Sequence, residues 1–197
     1  VYNDWQSASK LVNEINNLSI DPEYQISIII VNDASNHDRQ DEGVNLENIH
    51  SIKILNMKIN QGHTRGIATG LKYIYEKEDF DYVIPMDGDG EDRPEEIKEF
   101  LNQIENSNGR PIVGERIKRS EDLLFKSCYQ IHKLITLTFT GKLIKYGNFT
   151  CLPKTTVEKM INEKATWNSF SGSLKKIEKD LLSIPSMRLT IYHVPVS

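Results

Sequence analysis

The first half of the chain alternates between patterns typical of buried strands and of amphipathic helices. Residues 25–32 contain the apolar run IIIV, which is typical of a strand covered on both faces. Residues 51–55 predict a short strand, and residues 81–86 (DYVIPM) predict a third, buried one. The first and third of these strands are followed directly by an aspartate, Asp33 and Asp87, and both aspartates are candidates for a site.

Apolar residues recur at helical spacing in the segments around these strands. A first helix is predicted from Asp4 or Ser7, either of which suits a cap, to about Leu18. A second helix is predicted over residues 62–77, and a third over residues 94–104, whose first turn carries a proline and two glutamates. The apolar faces comprise Ala8, Leu11, Val12, Ile15 and Leu18 in the first helix and Ile67, Leu71, Ile74 and Tyr75 in the second.

This alternation predicts an α/β fold with a mostly parallel central sheet and helices on both faces. Ligands of such folds bind beyond the carboxyl ends of the strands. We therefore expect three polar places, Asn3-Asp4, Asn32-Asp33 and residues 87–91, to converge on one crevice. The second half is less regular, with a strand predicted at 111–114, helix at 121–141 and a closing strand at 189–196.

Composition narrows the class of protein. The chain has 197 residues, of which 38% are hydrophobic and 26% are charged, as expected for a single domain over 1–197. Its net charge of −4 argues against binding nucleic acid. Two cysteines, Cys128 and Cys151, make neither a disulfide framework nor a zinc motif, so idle thiols in a reducing compartment are expected. Without a signal peptide or a spanning apolar run, the chain is expected to be cytoplasmic, although both ends look truncated.

The densest candidate chemistry is the acidic turn at residues 87–91. Asp87, Asp89 and Glu91 alternate with glycines, and carboxylates two residues apart on an extended segment point the same way. Oxygen ligands of this kind suit Mg²⁺ or Mn²⁺, and the glycines leave room for a diphosphate. A metal here would neutralise charge on a departing nucleoside diphosphate.

Three other interpretations of the acidic turn stay open. A calcium loop of the EF-hand type needs a glycine where Asp92 stands and a helix before it. A phosphoaspartate phosphatase would also place two such aspartates after a strand. The plainest alternative is a solvated turn that caps the helix beginning at Pro94.

Four motifs in order carry a resemblance to a known family. VYND, IIIVNDAS, NQGHTRGIATGLKY and YVIPMDGDGEDRPEEI together resemble the family 2 glycosyltransferases of GT-A fold, the nucleotide-diphospho-sugar transferase fold. The subgroup that this chain resembles contains the dolichyl- and undecaprenyl-phosphate mannose and glucose synthases. The resemblance covers about the first 120 residues well and the remainder loosely.

The resemblance implies a role for each matching residue. Residues matched to the nucleotide-sugar donor are Val1, Tyr2, Asp4, Asp33, Gly62, Arg65 and Asp87. Asp87 and Asp89 match the metal-binding pair, and Glu91, where the subgroup usually has glutamine, joins them as a third expected ligand. Each also has an ordinary alternative: Asp4 as a helix cap, Asp33 as a strand end and Arg65 as a surface charge.

The acceptor side is less defined. Arg116, in the basic stretch GERIKR, follows a presumed strand and suits a phosphate, although an ordinary basic loop is an equal interpretation. Asp92 is the fallback general base if the acceptor is an alcohol. Residues 167–173 (WNSFSGS) replace an arginine-containing pattern expected in this subgroup, and Trp167 and Phe170 are candidates to contact sugar or lipid.

The expected function is inverting, metal-dependent transfer of a sugar from a UDP- or GDP-sugar to a polyprenyl phosphate, with peripheral contact at the cytoplasmic face of a membrane. The candidate catalytic residues are Asp89, Glu91, Asp92 and Arg116. A saccharide hydroxyl is the alternative acceptor. A nucleotidyltransferase and a non-catalytic nucleotide-sugar-binding domain are further alternatives.

Overall fold

The computed structural model describes residues 1–37, 46–116 and 145–187. The predicted helical stretch 121–141 and the predicted strand 189–196 lie outside these residues. None of the described helices combines the length and the apolarity needed to cross a membrane.

Helices and strands alternate along the described residues, as predicted. The strands are β1 (Ile26–Asn32), β2 (Ile49–Asn56), β3 (Tyr82–Val83), β4 (Ile112–Arg116), β5 (Tyr146–Pro153) and β6 (Leu182–Ser186). The helices are α1 (Trp5–Asn16), α2 (His63–Lys77), α3 (Glu96–Asn102), α4 (Ile104–Ser107), α5 (Lys154–Asn162) and α6 (Phe170–Ile177), with a 3₁₀ turn at Lys164–Trp167.

Strand pairing places several carboxyl ends at one edge. β1 and β2 pair in parallel, and the other strands form a sheet in the order β3-β5-β4-β6. β5 runs antiparallel to both β3 and β4, whereas β6 runs parallel to β4. β3, β4 and β6 therefore share one direction, and their carboxyl ends meet at the same edge. The sheet is mixed around β5 rather than parallel throughout.

The core lies on both faces of the sheet, because side chains alternate along each strand. Ile112 and Cys151 face one side and pack with the apolar faces of α1 and α3. Their neighbours Val113 and Leu152 face the other side and pack with α2, α5 and α6. The predicted placement of helices on both faces is confirmed.

Local chemistry explains where several elements begin and end. The side chain of Asp4 accepts a hydrogen bond from the Ser7 backbone N–H and caps α1. Pro85 has no N–H to donate, so the third predicted strand, 81–86, forms a ladder only over Tyr82–Val83. The helix predicted over 94–104 is interrupted at Gln103 and becomes α3 and α4.

Candidate active site

The first residues of the chain lie alongside the carboxyl end of β1. The backbone nitrogen of Val1 donates to the Val31 carbonyl oxygen at 2.7 Å, and the Asp33 N–H donates to the Val1 carbonyl oxygen at 2.8 Å. These two bonds follow the pattern of a parallel ladder. The first two polar places predicted to converge are therefore adjacent.

A second set of bonds joins the loops that leave these segments. The Asn3 N–H donates to Oγ of Ser35 at 2.9 Å, and the Asn36 N–H donates to Oδ1 of Asn3 at 2.7 Å. Asn3 and Ala34 both have positive φ angles, 52° and 59°, which non-glycine residues rarely adopt. Such backbone conformations concentrate at functional sites, where the surrounding contacts impose them.

Asp33 holds the loop that precedes α2 through two hydrogen bonds. It is 6% exposed, and its two oxygens accept hydrogen bonds from the backbone N–H groups of Gln61 and Gly62, each at 2.8 Å. Gly62 has a φ of 86°, which glycine adopts without strain. The geometry thus adds a loop-anchoring role to the nucleoside contact that the family resemblance implies.

The acidic turn is shaped by two of its own carboxylates. Oδ2 of Asp92 accepts from the Asp87 N–H, and Oδ1 of Asp89 accepts from the Glu91 N–H, both at 2.9 Å. Asp92 is 3% exposed. A carboxylate held so deeply is badly placed to take a proton from an acceptor alcohol, so the structure does not favour Asp92 as the fallback base.

The premise that residues 87–91 form an extended segment is wrong. The chain turns at residues 88–90 instead of running extended, and Gly90 has a φ of 78°. Strict alternation of side chains therefore ends before Glu91.

The acidic turn abuts the first residue of the chain. A Cβ added to Gly88 would lie 3.1 Å from Cγ2 of Val1, so glycine allows this close approach. All three predicted places thus meet around Val1, as expected, and we term this junction the crevice.

Two residues missed as site residues from the sequence meet Asp87 inside this crevice. Nε2 of His63, the first residue of α2, lies 3.3 Å from Oδ1 of Asp87. Nδ2 of Asn148, on β5, lies 2.6 Å from that imidazole nitrogen and 3.4 Å from the same carboxylate oxygen. Asn148 stands in the sequence GNF at residues 147–149, and nothing local in that sequence indicates that β5 faces the acidic turn.

The residues at the acidic turn suit an open metal site rather than a closed one. Among the described residues, no three His, Cys, Asp or Glu side chains are grouped so as to hold a metal ion. Mg²⁺ commonly uses one or two protein carboxylates together with substrate phosphates. The side chain of Asp87 is 12% exposed and Asp89 is exposed, so the oxygen donors fit that mode.

The other predicted site residues occupy varied positions. Tyr2 is 49% exposed. Arg65 is exposed on the first turn of α2, and its Nη1 lies 3.4 Å from Oε1 of Gln61. Arg116 ends β4 at the carboxyl edge, and its side chain lies outside the described part of the structure. Phe170 is 3% exposed in the core beside α2, so it is not available to contact sugar or lipid.

Fold and site together define an α/β domain with a crevice at the carboxyl ends of its strands. The model of the family "Glycosyl transferase family 2" matches residues 1–170, and the chain therefore belongs to glycosyltransferase family 2. The predicted family and GT-A fold are confirmed.

Two curated proteins and one solved structure illustrate the similarity. An undecaprenyl-phosphate 4-deoxy-4-formamido-L-arabinose transferase from Proteus mirabilis is 28% identical over 157 residues, covering 77% of this chain and 45% of that protein. An uncharacterised protein from Methanocaldococcus jannaschii is 25% identical over 118 residues, 58% of this chain and 48% of its own length. Staphylococcus aureus TarS 1–349 superposes with a TM-score of 0.61 at 13% identity, covering 94% of this chain and 57% of TarS, which supports the fold alone. The chain spans about half the length of the curated relatives it matches.

Proposed function

We propose that this domain transfers a sugar, with inversion and with the help of a divalent metal, from a UDP- or GDP-sugar to a polyprenyl phosphate. The observation that carries the proposal is the meeting of the acidic turn, the Asp33-anchored loop and Val1 in one crevice. Membership of glycosyltransferase family 2 supports a nucleotide-sugar donor.

The donor diphosphate fits the end of the crevice where the acidic turn faces α2. Asp87 and Asp89, with Glu91 as a third candidate, would hold Mg²⁺ or Mn²⁺, which when bound neutralises charge on the diphosphate. Gly62 caps α2 without a side-chain hydrogen bond, so the first N–H groups of this 15-residue helix stay available to an anion. Arg65 on the same turn adds a positive charge.

The nucleoside belongs on the side of the crevice formed by the first residues and the end of β1. Val1 and Asp33 are joined there by a backbone hydrogen bond, and the exposed ring of Tyr2 offers a surface for a base. Asp4 keeps its capping bond to Ser7 and contributes negative charge near the expected ribose hydroxyls. These positions support a nucleoside site.

The buried position of Asp92 favours a phosphate acceptor over an alcohol acceptor. An alcohol acceptor needs a general base, whereas a lipid phosphate is already anionic near neutral pH. The Asp92 carboxylate accepts the Asp87 N–H within the turn and is badly placed to act as that base. The relative from Proteus mirabilis is named for undecaprenyl phosphate. Arg116, at the carboxyl edge of the sheet, is the candidate to bind the acceptor phosphate. A polyprenyl acceptor would bring the domain to the cytoplasmic face of a membrane.

A transfer assay tests this proposal. Wild type and Asp89→Asn are incubated with UDP- and GDP-sugars, Mn²⁺, and either a polyprenyl phosphate or an oligosaccharide. Because a metal contributes several kcal/mol to such reactions, we expect Asp89→Asn to reduce transfer by about a hundredfold or more. Asp81→Asn, a change of an exposed aspartate just before β3, is the matched control and should keep wild-type activity.

Full transfer and donor hydrolysis by Asp89→Asn in the presence of metal would refute the metal role. Transfer to the oligosaccharide but not to the polyprenyl phosphate would refute the proposed acceptor while leaving the donor assignment intact.

A further inference from the structure

β5 presents Asn148 to the crevice from the middle of the sheet. Its neighbours Phe149 and Cys151 face the α1 and α3 side, where the rings of Phe149 and Phe100 meet edge to face at 4.9 Å. By the alternation of strand side chains, Asn148 faces the opposite side, where α2 begins. A Cβ added to Gly114 on β4 would lie 3.3 Å from the Phe149 carbonyl oxygen on β5. The two strands therefore pack closely here, which restricts movement of β5.

The Asn148 amide lies beside both Asp87 and His63, where it can donate a hydrogen bond to each. Oδ1 of Asp87 and Nε2 of His63 lie 3.3 Å apart. With the imidazole proton on Nδ1, both atoms are acceptors, and they repel each other unless a donor lies beside them. The two amide hydrogens of Asn148 satisfy this need, because Nδ2 lies 2.6 Å from the imidazole nitrogen and 3.4 Å from the carboxylate oxygen.

We propose that Asn148 is a positioning residue that fixes Asp87 and His63 relative to each other, so that β5 sets the geometry of the metal–diphosphate site. This inference rests on the proposed function, since it takes Asp87 as a metal ligand. Asn148 acts through Asp87 and needs no contact of its own with the donor.

The test measures how tightly Mn²⁺ and a nucleoside diphosphate bind together, by isothermal titration calorimetry with UDP and with GDP. The variants are Asn148→Ala, His63→Ala and the double variant, with Asn148→Ser as a second change at the same position. Asn106→Ala, which removes an exposed asparagine side chain on α4, is the matched control. Melting temperatures of all variants show whether each one folds.

We expect Asn148→Ala to weaken metal-dependent binding about tenfold, the usual effect of losing a hydrogen bond to a charged group. The effects of Asn148→Ala and His63→Ala should not add in the double variant, because the two residues share one network. A residue that only supported the fold would lower the melting temperature and leave the ratio of affinities with and without Mn²⁺ unchanged.

Failure of this inference differs from failure of the proposed function. If wild type binds neither UDP nor GDP with Mn²⁺, the proposed function is wrong. If wild type binds one of them and both Asn148 variants match its affinity within twofold, or the effects of the two single variants add, the positioning role is wrong.

Discussion

At the scale of single residues, the acidic turn divides its carboxylates between two tasks. Asp87 and Asp89 are the candidates for the metal, whereas Asp92 closes the turn by accepting the Asp87 N–H. Asp89 combines both tasks, since its Oδ1 also accepts the Glu91 N–H. A change at Asp92 should therefore act on the shape of the turn rather than on proton transfer.

Asp92→Asn keeps an oxygen acceptor for the Asp87 N–H, whereas Asp92→Ala removes it. We expect Asp92→Ala to lower the free energy of unfolding by about 1–3 kcal/mol, the cost of an unsatisfied buried group, and Asp92→Asn to cost less. Urea denaturation measures both values. The transfer rate of Asp92→Asn should stay within about tenfold of wild type. Loss of a general base would instead lower the rate by about 10²- to 10⁴-fold, which is more than a small shift of the turn should do. A loss of a thousandfold or more with the fold intact would restore Asp92 as a general base.

The roles of some residues could be predicted from their neighbours in the sequence, whereas the roles of others depend on long-range contacts. Asp4 was foreseen as a helix cap because a cap depends only on the next three residues. His63 and Asn148 were not assigned to the site, because their contact joins residues 85 positions apart in the chain. The place of Asp33 after a strand was predicted, but its bonds to the Gln61–Gly62 loop depend on the fold and were not.

At the scale of elements, α2 is positioned by small residues against β1. A Cβ added to Gly70 would lie 2.9 Å from Cγ2 of Val31, whereas one added to Gly66 would lie 4.0 Å from Cγ1 of the same valine. Valine has little rotamer freedom with which to move away. The position of α2 also sets the position of His63 and of the first turn that faces the acidic turn.

Gly66→Ala and Gly70→Ala form a matched pair that tests this packing. Alanine favours a helix over glycine by about 1 kcal/mol, so Gly66→Ala should raise the free energy of unfolding by up to that amount. Gly70→Ala should lower it by about 1–3 kcal/mol, because Val31 must shift. Thermal or urea unfolding distinguishes the two. Equal effects of the same sign would contradict the close contact of α2 and β1.

Elements with a complete local pattern were predicted with bounds close to the observed ones. The helix predicted over 62–77 is observed as His63–Lys77, and the strand predicted over 25–32 as Ile26–Asn32. β5 and β6 were not assigned as strands, because their pairing with β4 joins distant parts of the chain. Cys151 is a free thiol buried in the core, and burial raises its pKa to about 12, whereas Cys128 lies outside the described residues.

At the scale of the whole molecule, the parallel pair of β1 and β2 and the four-stranded mixed sheet bring five segments to one crevice. These are the first residues, the end of β1, the start of α2, the acidic turn and β5. The sequence order of the motifs was sufficient to predict the family and the GT-A fold, which the family match confirms. The nucleobase, the metal and the acceptor depend on contacts with ligands and stay proposals.

We propose above all that this crevice holds a nucleoside diphosphate together with a divalent metal. The melting temperature of the chain, measured with UDP and with GDP, each with Mn²⁺ and with EDTA, tests it most directly. At a hundredfold excess of ligand over its Kd, binding to the native state should raise Tm by about 5–10 °C for one of the two diphosphates, and only with Mn²⁺. No shift with either diphosphate in Mn²⁺, or an equal shift in EDTA, would contradict the account.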